Sequence, residues 1–285
     1  MAMPKKFQIL QKRILTPEIS AITVHAPLIA AKARAGQFVI LRANEEGERI
    51  PLTISSHKGE GVTVVFQKAG ASTLELDQLQ EGDCLTDFAG PLGQPTPIRR
   101  YGKVAVVGGG LGCAIALPVA RSLTEAGNEV DLIGGFKTRH LIILKQELRE
   151  ASRNLYLCTD DGSFGYGGFV TDRLQDLIRA EGPYAHIFAI GPLVMMKAVT
   201  RTAREAGIPV TVSMSPLMID GTGMCGCCRV TVGGRIRFAC VDGPDFDGTQ
   251  VDFDEAIARN RTYRPFEDRQ RKEHICRLTG GVRHG

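Results

Sequence analysis

Short runs in which apolar and polar residues alternate fill the first third of the chain, at 7–15, 20–25, 38–42, 49–56, 62–67 and 83–89. Runs spaced this way predict the strands of a small β-barrel. A single helical pattern, 72–79, interrupts them, and Gly90-Pro91-Leu92-Gly93-Gln94-Pro95-Thr96-Pro97 reads as the linker that leaves the barrel. After Tyr101 the period changes. Apolar runs at 103–107, 129–133, 154–158, 186–190 and 210–213 alternate with helical patterns at 112–126, 141–151, 171–181 and 192–206. This alternation predicts a parallel, doubly wound α/β domain. Two further strands, 229–232 and 236–240, face each other across Gly233-Gly234 as a hairpin. The expected division is a barrel over 1–97, an α/β domain over 98–214 and a third segment over 215–285, with no internal repeat.

At 285 residues and 43% hydrophobic content the chain is long enough to bury real cores, and its length suits about two domains. No apolar run approaches the ~18 residues of a membrane span, and Met1-Ala2-Met3-Pro4-Lys5-Lys6-Phe7 lacks the apolar stretch of a secretory signal. The expected location is therefore cytoplasmic. There, eight cysteines point to reduced thiols and metal ligation rather than disulfides, with Cys84, Cys113, Cys158 and Cys276 read as structural. The formal charge is only +4. Its one concentration is the tail, where Arg259, Arg261, Arg264, Arg269, Arg271, Lys272, Arg277 and Arg283 stand against Glu267, Asp268 and Glu273. No aromatic ladder accompanies these cations, so they predict a solvated or subunit-contacting helix rather than a nucleic-acid surface.

Four of the eight cysteines fall between 225 and 240. Cys225, Cys228 and Cys240 occupy the last three positions of the plant-type ferredoxin pattern C-x4-C-x2-C with a distant Cys, and Asp220 occupies the first. A carboxylate oxygen still holds ferric iron, and Gly221, Gly223 and Gly226 let backbone amides approach a cluster without a Cβ in the way. Structural zinc is the competing reading, since thiolates at x2 spacing also bind it. Zinc ribbons, however, pair two C-x2-C units, whereas here the far partner is the lone Cys240. Cys227 either stands free or replaces Cys228, and the x2 spacing favours Cys228.

Nucleotide-binding candidates lie on both sides of the linker. An apolar strand runs into Gly108-Gly109-Gly110-Leu111-Gly112-Cys113 and then a helix, the setting in which amides hold a pyrophosphate. The acidic residue expected about 20 positions on is missing, because 129–133 leads into Gly134-Gly135-Phe136-Lys137. Lys137 and Arg139 there are either partners for a 2′-phosphate or plain loop cations. Pro118 sits inside the predicted helix, where it is expected to kink the chain and remove a hydrogen bond. Gly191-Pro192 ends a strand and opens a helix, with Pro at its favoured first position, and Met195 and Met196 beyond it read as core. In the barrel, Arg49 and Thr53 of Arg49-Ile50-Pro51-Leu52-Thr53 share a strand face, suited to a phosphate and a ring edge. Gly70-Ala71-Ser72-Thr73 opens the helix with amides and hydroxyls. Each segment alone also fits an ordinary strand, cap or turn. His140, Asp160 and Asp161 read as loop residues.

Taken in order, the barrel, Arg49-Ile50-Pro51-Leu52-Thr53, Gly90-Pro91-Leu92-Gly93, the 108–112 glycines, Gly191-Pro192 and the Asp/Cys loop resemble a ferredoxin-NADP reductase-like flavoprotein over nearly the whole chain. Within that superfamily the chain is similar to the electron-transfer subunits of dihydroorotate dehydrogenase, sulfide dehydrogenase and NADH-dependent ferredoxin:NADP oxidoreductase. Asp220-Gly221-Thr222-Gly223-Met224-Cys225-Gly226-Cys227-Cys228 with Phe238-Ala239-Cys240 resembles the small (alpha) subunits of the last group, in which an Asp completes the cluster. Dihydroorotate subunits carry Cys there. The resemblance implies FAD in the barrel, contacted by Arg49, Pro51, Leu52, Thr53, Gly70, Ser72 and Thr73. It implies NAD(H) at Gly108, Gly110, Gly112, Gly191 and Pro192, and a 2Fe-2S cluster on Asp220, Cys225, Cys228 and Cys240. No catalytic acid or base is implied, because the cofactors carry the chemistry. The implied partner is a larger flavoprotein and iron-sulfur subunit that bifurcates electrons, with ferredoxin reached only through it. A sulfide dehydrogenase or sulfite reductase subunit, or a zinc-stabilised nucleotide-binding scaffold, is the alternative.

Overall fold

The computed structural model describes residues 4–262 together with Phe266 and Arg269. Cys276 and the tail cations Arg264, Arg271, Lys272, Arg277 and Arg283 lie outside them. The first sheet is built from β1 (Ile9–Thr16), β2 (Ile19–His25), β3 (Phe38–Arg42), β4 (Ile50–Lys58), β5 (Gly61–Gln67) and β6 (Asp87–Leu92), in the order β1-β2-β5-β4-β3-β6. Every neighbouring pair is antiparallel. The ends meet, since the Ile9 amide donates to Asp83 O at 2.8 Å and the Leu85 amide to Phe7 O at 3.1 Å. Residues 83–85, read from sequence as the start of a strand, thus close the barrel, and β6 runs on through Gly90-Pro91-Leu92 into the expected linker. Ile22, Val24, Ile54, Val62, Val64 and Phe66 fill the interior.

Two helices accompany this sheet, one more than expected. The four-residue α1 (Pro27–Ala30) begins on a proline, which suits a first turn but leaves too short a pattern to read. The second, α2 (Ala71–Gln78), is anchored at its C-terminal end. There Lys12 Nζ donates to Leu79 O at 3.0 Å and to the Asp77 carbonyl, answering acceptors that a helix end leaves unpaired. Lys68 and the Ser20 hydroxyl hold the Asp77 carboxylate at 3.1 and 2.6 Å.

The second sheet comprises β7 (Lys103–Gly109), β8 (Glu129–Phe136), β9 (Asn154–Thr159), β10 (Tyr166–Gly167), β11 (His186–Ile190) and β12 (Val210–Ser213), with the helices α3 (Gly112–Glu125), α4 (Lys145–Glu150), α5 (Val170–Glu181) and α6 (Leu193–Glu205) between strands. Beyond it come the hairpin β13 (Arg229–Val232) and β14 (Arg235–Phe238), then β15 (Asp245–Asp247) and α7 (Phe253–Thr262). The sheet order is β10-β9-β8-β7-β11-β12-β15, parallel except for β12 with β15. Alternation along β7 feeds both faces, since Val104 and Val106 enter the core with α3 while Ala105 and Val107 enter the one with α5 and α6. The expected helix 141–151 shrinks to six residues. Ile143 is buried, and Leu144 takes a left-handed conformation, φ 51°, before the helix starts. The helix α3 runs unbroken through Pro118.

His186 at the start of β11 packs on Tyr101 and Phe188 and bonds the Thr211 hydroxyl at 2.8 Å. Burial, reinforced by Arg99, lowers its imidazole to about 4. On acidification the unfolded chain, titrating near 6.5, takes up the proton first. Stability at this site is therefore complete above about 6.5 and lost as pH falls toward about 4. His186→Phe is expected to shrink the gap in unfolding free energy between pH 7 and pH 4.5 by on the order of 2 kcal/mol, read from urea titrations at both pH values.

Candidate functional site

In the doubly wound sheet the chain turns back between β7 and β11, so the connections after these two strands open the crevice where such sheets bind ligands. These are the loops at 108–112 and Gly191-Pro192, and they touch. A Cβ on Gly112 would overlap the Ile190 carbonyl oxygen and lie 2.8 Å from Gly191 Cα, and one on Gly191 would lie 3.1 Å from the Gly109 nitrogen. Gly109 is roofed by Pro192 and Met195. Met196 is fully buried, as expected, and Met195 packs against the same core. Only Gly110, at φ +55° with its amide bonded to Gly135 O at 2.8 Å, faces open space. Lys137, Arg139, His140, Asp160 and Asp161 are exposed around the far rim.

On the barrel side, Pro51 and Thr53 of β4 line a 190 Å³ cavity with Phe38, Ile115, Gly191 and Met218. Leu52 packs against the barrel core instead. Arg49 stays half exposed, 3.8 Å from Asp87, whose carboxylate is held at 2.8 Å by Arg42. At the start of α2 the hydroxyls expected for a pyrophosphate are engaged locally. Thr73 Oγ1 accepts from the Ala69 and Gly70 amides at 3.1 Å, and Ser72 Oγ donates to Glu48 at 2.6 Å. What the helix offers an anion there is its first amides, beside the open side of Gly70. Phe38, Ile115 and Met218 are ordinary apolar residues in sequence, and nothing in their spacing marks them as cavity walls.

The Asp/Cys loop brings its four expected ligands together as two pairs. Near the surface, the Asp220 carboxylate accepts from the amides of Thr222 at 2.6 Å and Cys225 at 2.7 Å. These bonds, with the Cys225 thiol, hold its carboxyl at about 2. In the interior, Cys228 and Cys240 are 1% and 2% exposed with their sulfurs 3.2 Å apart. The Cys240 amide donates to the Cys228 sulfur at 3.5 Å. Cys227 is a free, half-buried thiol. Among the described residues no three Cys, His, Asp or Glu side chains converge on one mononuclear site. The loop is seated on the barrel: Met218, Cys228, Ala239 and Cys240 pack with Phe38 and Ile40 of β3, and a Cβ on Gly221 would lie 2.7 Å from Ile40 Cδ1. Of the other thiols, Cys113 and Cys158 are buried as expected, but Cys84 is exposed where the barrel closes and carries no packing role.

Residues 215–252 match the family model of the iron-sulfur cluster binding domain of dihydroorotate dehydrogenase B. A dihydroorotate dehydrogenase B (NAD(+)) electron transfer subunit homolog from Thermotoga maritima is 45% identical over 91% of this chain and 92% of its own. An electron transfer subunit of that enzyme from Clostridium perfringens is 34% identical over 78% of this chain and 89% of its own. Among solved structures, a chain of the NADH-dependent reduced ferredoxin-NADP oxidoreductase superposes with a TM-score of 0.91 at 42% identity, covering 96% of this chain and 100% of that one. Amycolatopsis cytochrome P450 reductase, at 21% identity and a TM-score of 0.60 over 70% of this chain and 65% of that one, shares the fold. With barrel, doubly wound sheet and cysteine loop in one order, and identity of this level across most of its length, the chain belongs to the dihydroorotate dehydrogenase B electron transfer subunit family.

Proposed function

We propose that this chain is an electron-transfer subunit. It passes electrons between NADH and a larger flavoprotein and iron-sulfur partner, within an electron-bifurcating NADH-dependent ferredoxin:NADP oxidoreductase of cytoplasmic location. Its divisions are an FAD barrel over 1–97, an NAD(H) domain over 98–214 and a 2Fe-2S segment with basic tail over 215–285. The observation that carries this reading is Phe38. It is 3% exposed, lines the cavity between Thr53 and Gly191, and packs in the same apolar cluster as Cys228 and Cys240. One buried side chain thus joins the flavin side of the molecule to the cluster side.

The donor set fits a binuclear cluster, which asks the protein for two ligands on each iron, whereas tetrahedral zinc asks for four around one centre. Asp220 with Cys225 and Cys228 with Cys240 are the two pairs, and the Cys240 amide gives the Cys228 sulfur a hydrogen bond of the kind that tunes such centres. When bound, FAD takes up hydride from a nicotinamide and a 2Fe-2S cluster moves single electrons, so the protein supplies position and environment rather than acid-base groups. Arg49 and the first amides of α2 hold the flavin phosphates. Pro51 and Thr53 wall its ring, and Leu52 keeps their strand on the barrel core. The open side of Gly110 and the first amides of α3 would receive the nicotinamide cofactor's pyrophosphate, Gly108 and Gly112 would let the loop lie that close to its neighbours, and Gly191-Pro192 would close the crevice beside it. The described residues contain no helix long and apolar enough to cross a membrane.

Anaerobic titration of the purified protein with NADH tests the reading, with flavin bleaching and a reduced 2Fe-2S EPR signal as the expected result. Protein that carries only zinc and no visible flavin absorption would sink it. Asp220→Cys is expected to keep a cluster while moving its midpoint potential negative, since thiolate donates more electron density to iron than carboxylate does. An unchanged potential in an EPR-monitored redox titration counts against Asp220 as a ligand.

A further inference from the structure

The strand β4 carries an irregularity that its sheet pairing does not require. Ile54 pairs with Val64 and Ser56 with Thr63, so the register slips and Ser55 is the extra residue of a β-bulge. Bulges re-aim side chains. Here Ile54 enters the barrel core, while Ser55, 4% exposed, turns out of the barrel and donates its hydroxyl to Ala114 O of α3 at 2.8 Å, in a buried bond. Ala114 lies four residues before Pro118, the only residue of α3 without an N–H to offer that carbonyl. The proline frees a buried acceptor, the bulge aims a donor at it, and the donor comes from the other sheet.

The position of this bond gives it a consequence. Thr53, two residues before Ser55, and Ile115, next to Ala114, line the same 190 Å³ cavity. The helix α3 begins at the glycine loop, and β4 carries Pro51 and Thr53, with Arg49 just before its first residue. We propose that Ser55 is a positioning residue, whose hydrogen bond to Ala114 fixes the flavin strand against the nucleotide helix and so sets the approach of nicotinamide to flavin. This rests on the functional reading above. Reactive geometry is steep in distance, a misplacement of about 1 Å costing on the order of a hundredfold in rate.

The test uses the full-length protein purified anaerobically with its cofactors. Ser55→Ala is expected to slow flavin reduction by NADH in stopped flow by about tenfold or more, with little change in the NADH concentration giving half-maximal rate, and to lower Tm. Ser55→Thr, which keeps the hydroxyl, is expected to restore both. The decisive variant is Ser55→Ala combined with Pro118→Ala. Its new backbone N–H satisfies Ala114 O inside the helix, so Tm recovers but the rate does not, because the link between sheets is still missing. A rate that recovers together with Tm would overturn the proposal, leaving Ser55 as a mere carbonyl partner, and so would an unaltered rate in Ser55→Ala.

Hydrogen exchange on cofactor-free full-length protein gives a second readout. Amides of β4 and of α3 near Ala114 are expected to exchange faster in Ser55→Ala, and in the double variant only α3 regains protection. Unchanged exchange in β4 counts against the link. If the wild type binds no flavin, the functional reading fails, while the exchange result still decides whether Ser55 joins the two sheets.

Discussion

Cys228→Ser is expected to abolish the 2Fe-2S signal, while Cys227→Ser leaves it nearly intact. Adjacent in sequence, the two thiols differ in depth. Cys228 is 1% exposed, 3.2 Å from the Cys240 sulfur and packed with Phe38, Ile40 and Met218, whereas Cys227 is only half-buried and lies outside that apolar cluster. No other thiol reaches that interior from the described residues, so Ser at 228 leaves Cys240 without its neighbour. Loss of groups merely supporting a ligand already costs about 10–100-fold in metal affinity, and loss of the ligand is expected to exceed that. Iron content and the EPR spectrum of dithionite-reduced protein give the answer. The reverse pattern would make Cys227 the ligand.

A second large effect is expected at Gly112. A Cβ there runs into the backbone of Ile190 and Gly191, which has no rotamer by which to retreat. The end of β11 must shift, at a cost of about 3 kcal/mol, the upper end of overpacking. Gly110→Ala is the control. Its φ of +55° disfavours any side chain, yet the new methyl meets nothing within 4 Å, so destabilisation stays near 1 kcal/mol and the main loss is in NADH affinity. Urea unfolding and NADH titration of both variants separate the effects. Equal stability of the two would show that the crevice loops yield.

Sequence disclosed most of this architecture because its signals are local. Alternation along β7 and the positive-φ pair Gly233-Gly234 that turns the hairpin are readable from a few neighbouring residues. The failures have physical causes as well. The run Leu141-Ile142-Ile143-Leu144 imitates a helix because it is wholly apolar, but it serves as core filling, and the left-handed Leu144 delays α4. Ser72 and Thr73 were legible as cap residues, yet whether a hydroxyl faces a ligand or Glu48 depends on a loop 24 positions away. Pro118 signalled a lost hydrogen bond correctly. The replacement donor, Ser55, is 59 positions from the Ala114 carbonyl it answers and leaves no trace in the pattern. The strand β15 has no signature in the sequence because three residues pairing at a sheet edge carry no period.

That short strand determines how this molecule can be taken apart. Asp245–Asp247 lies antiparallel on β12, and its start is tied to the connector, the Gln94 amide to Gly243 O at 2.6 Å and the Thr96 hydroxyl to the Asp245 carboxylate at 2.6 Å. A chain ended at 214 would present β12 as a bare edge open to pairing with other chains. The cysteine loop is consequently no detachable cassette: a graft of residues 220–240 onto another reductase would leave behind the return strand that moors it.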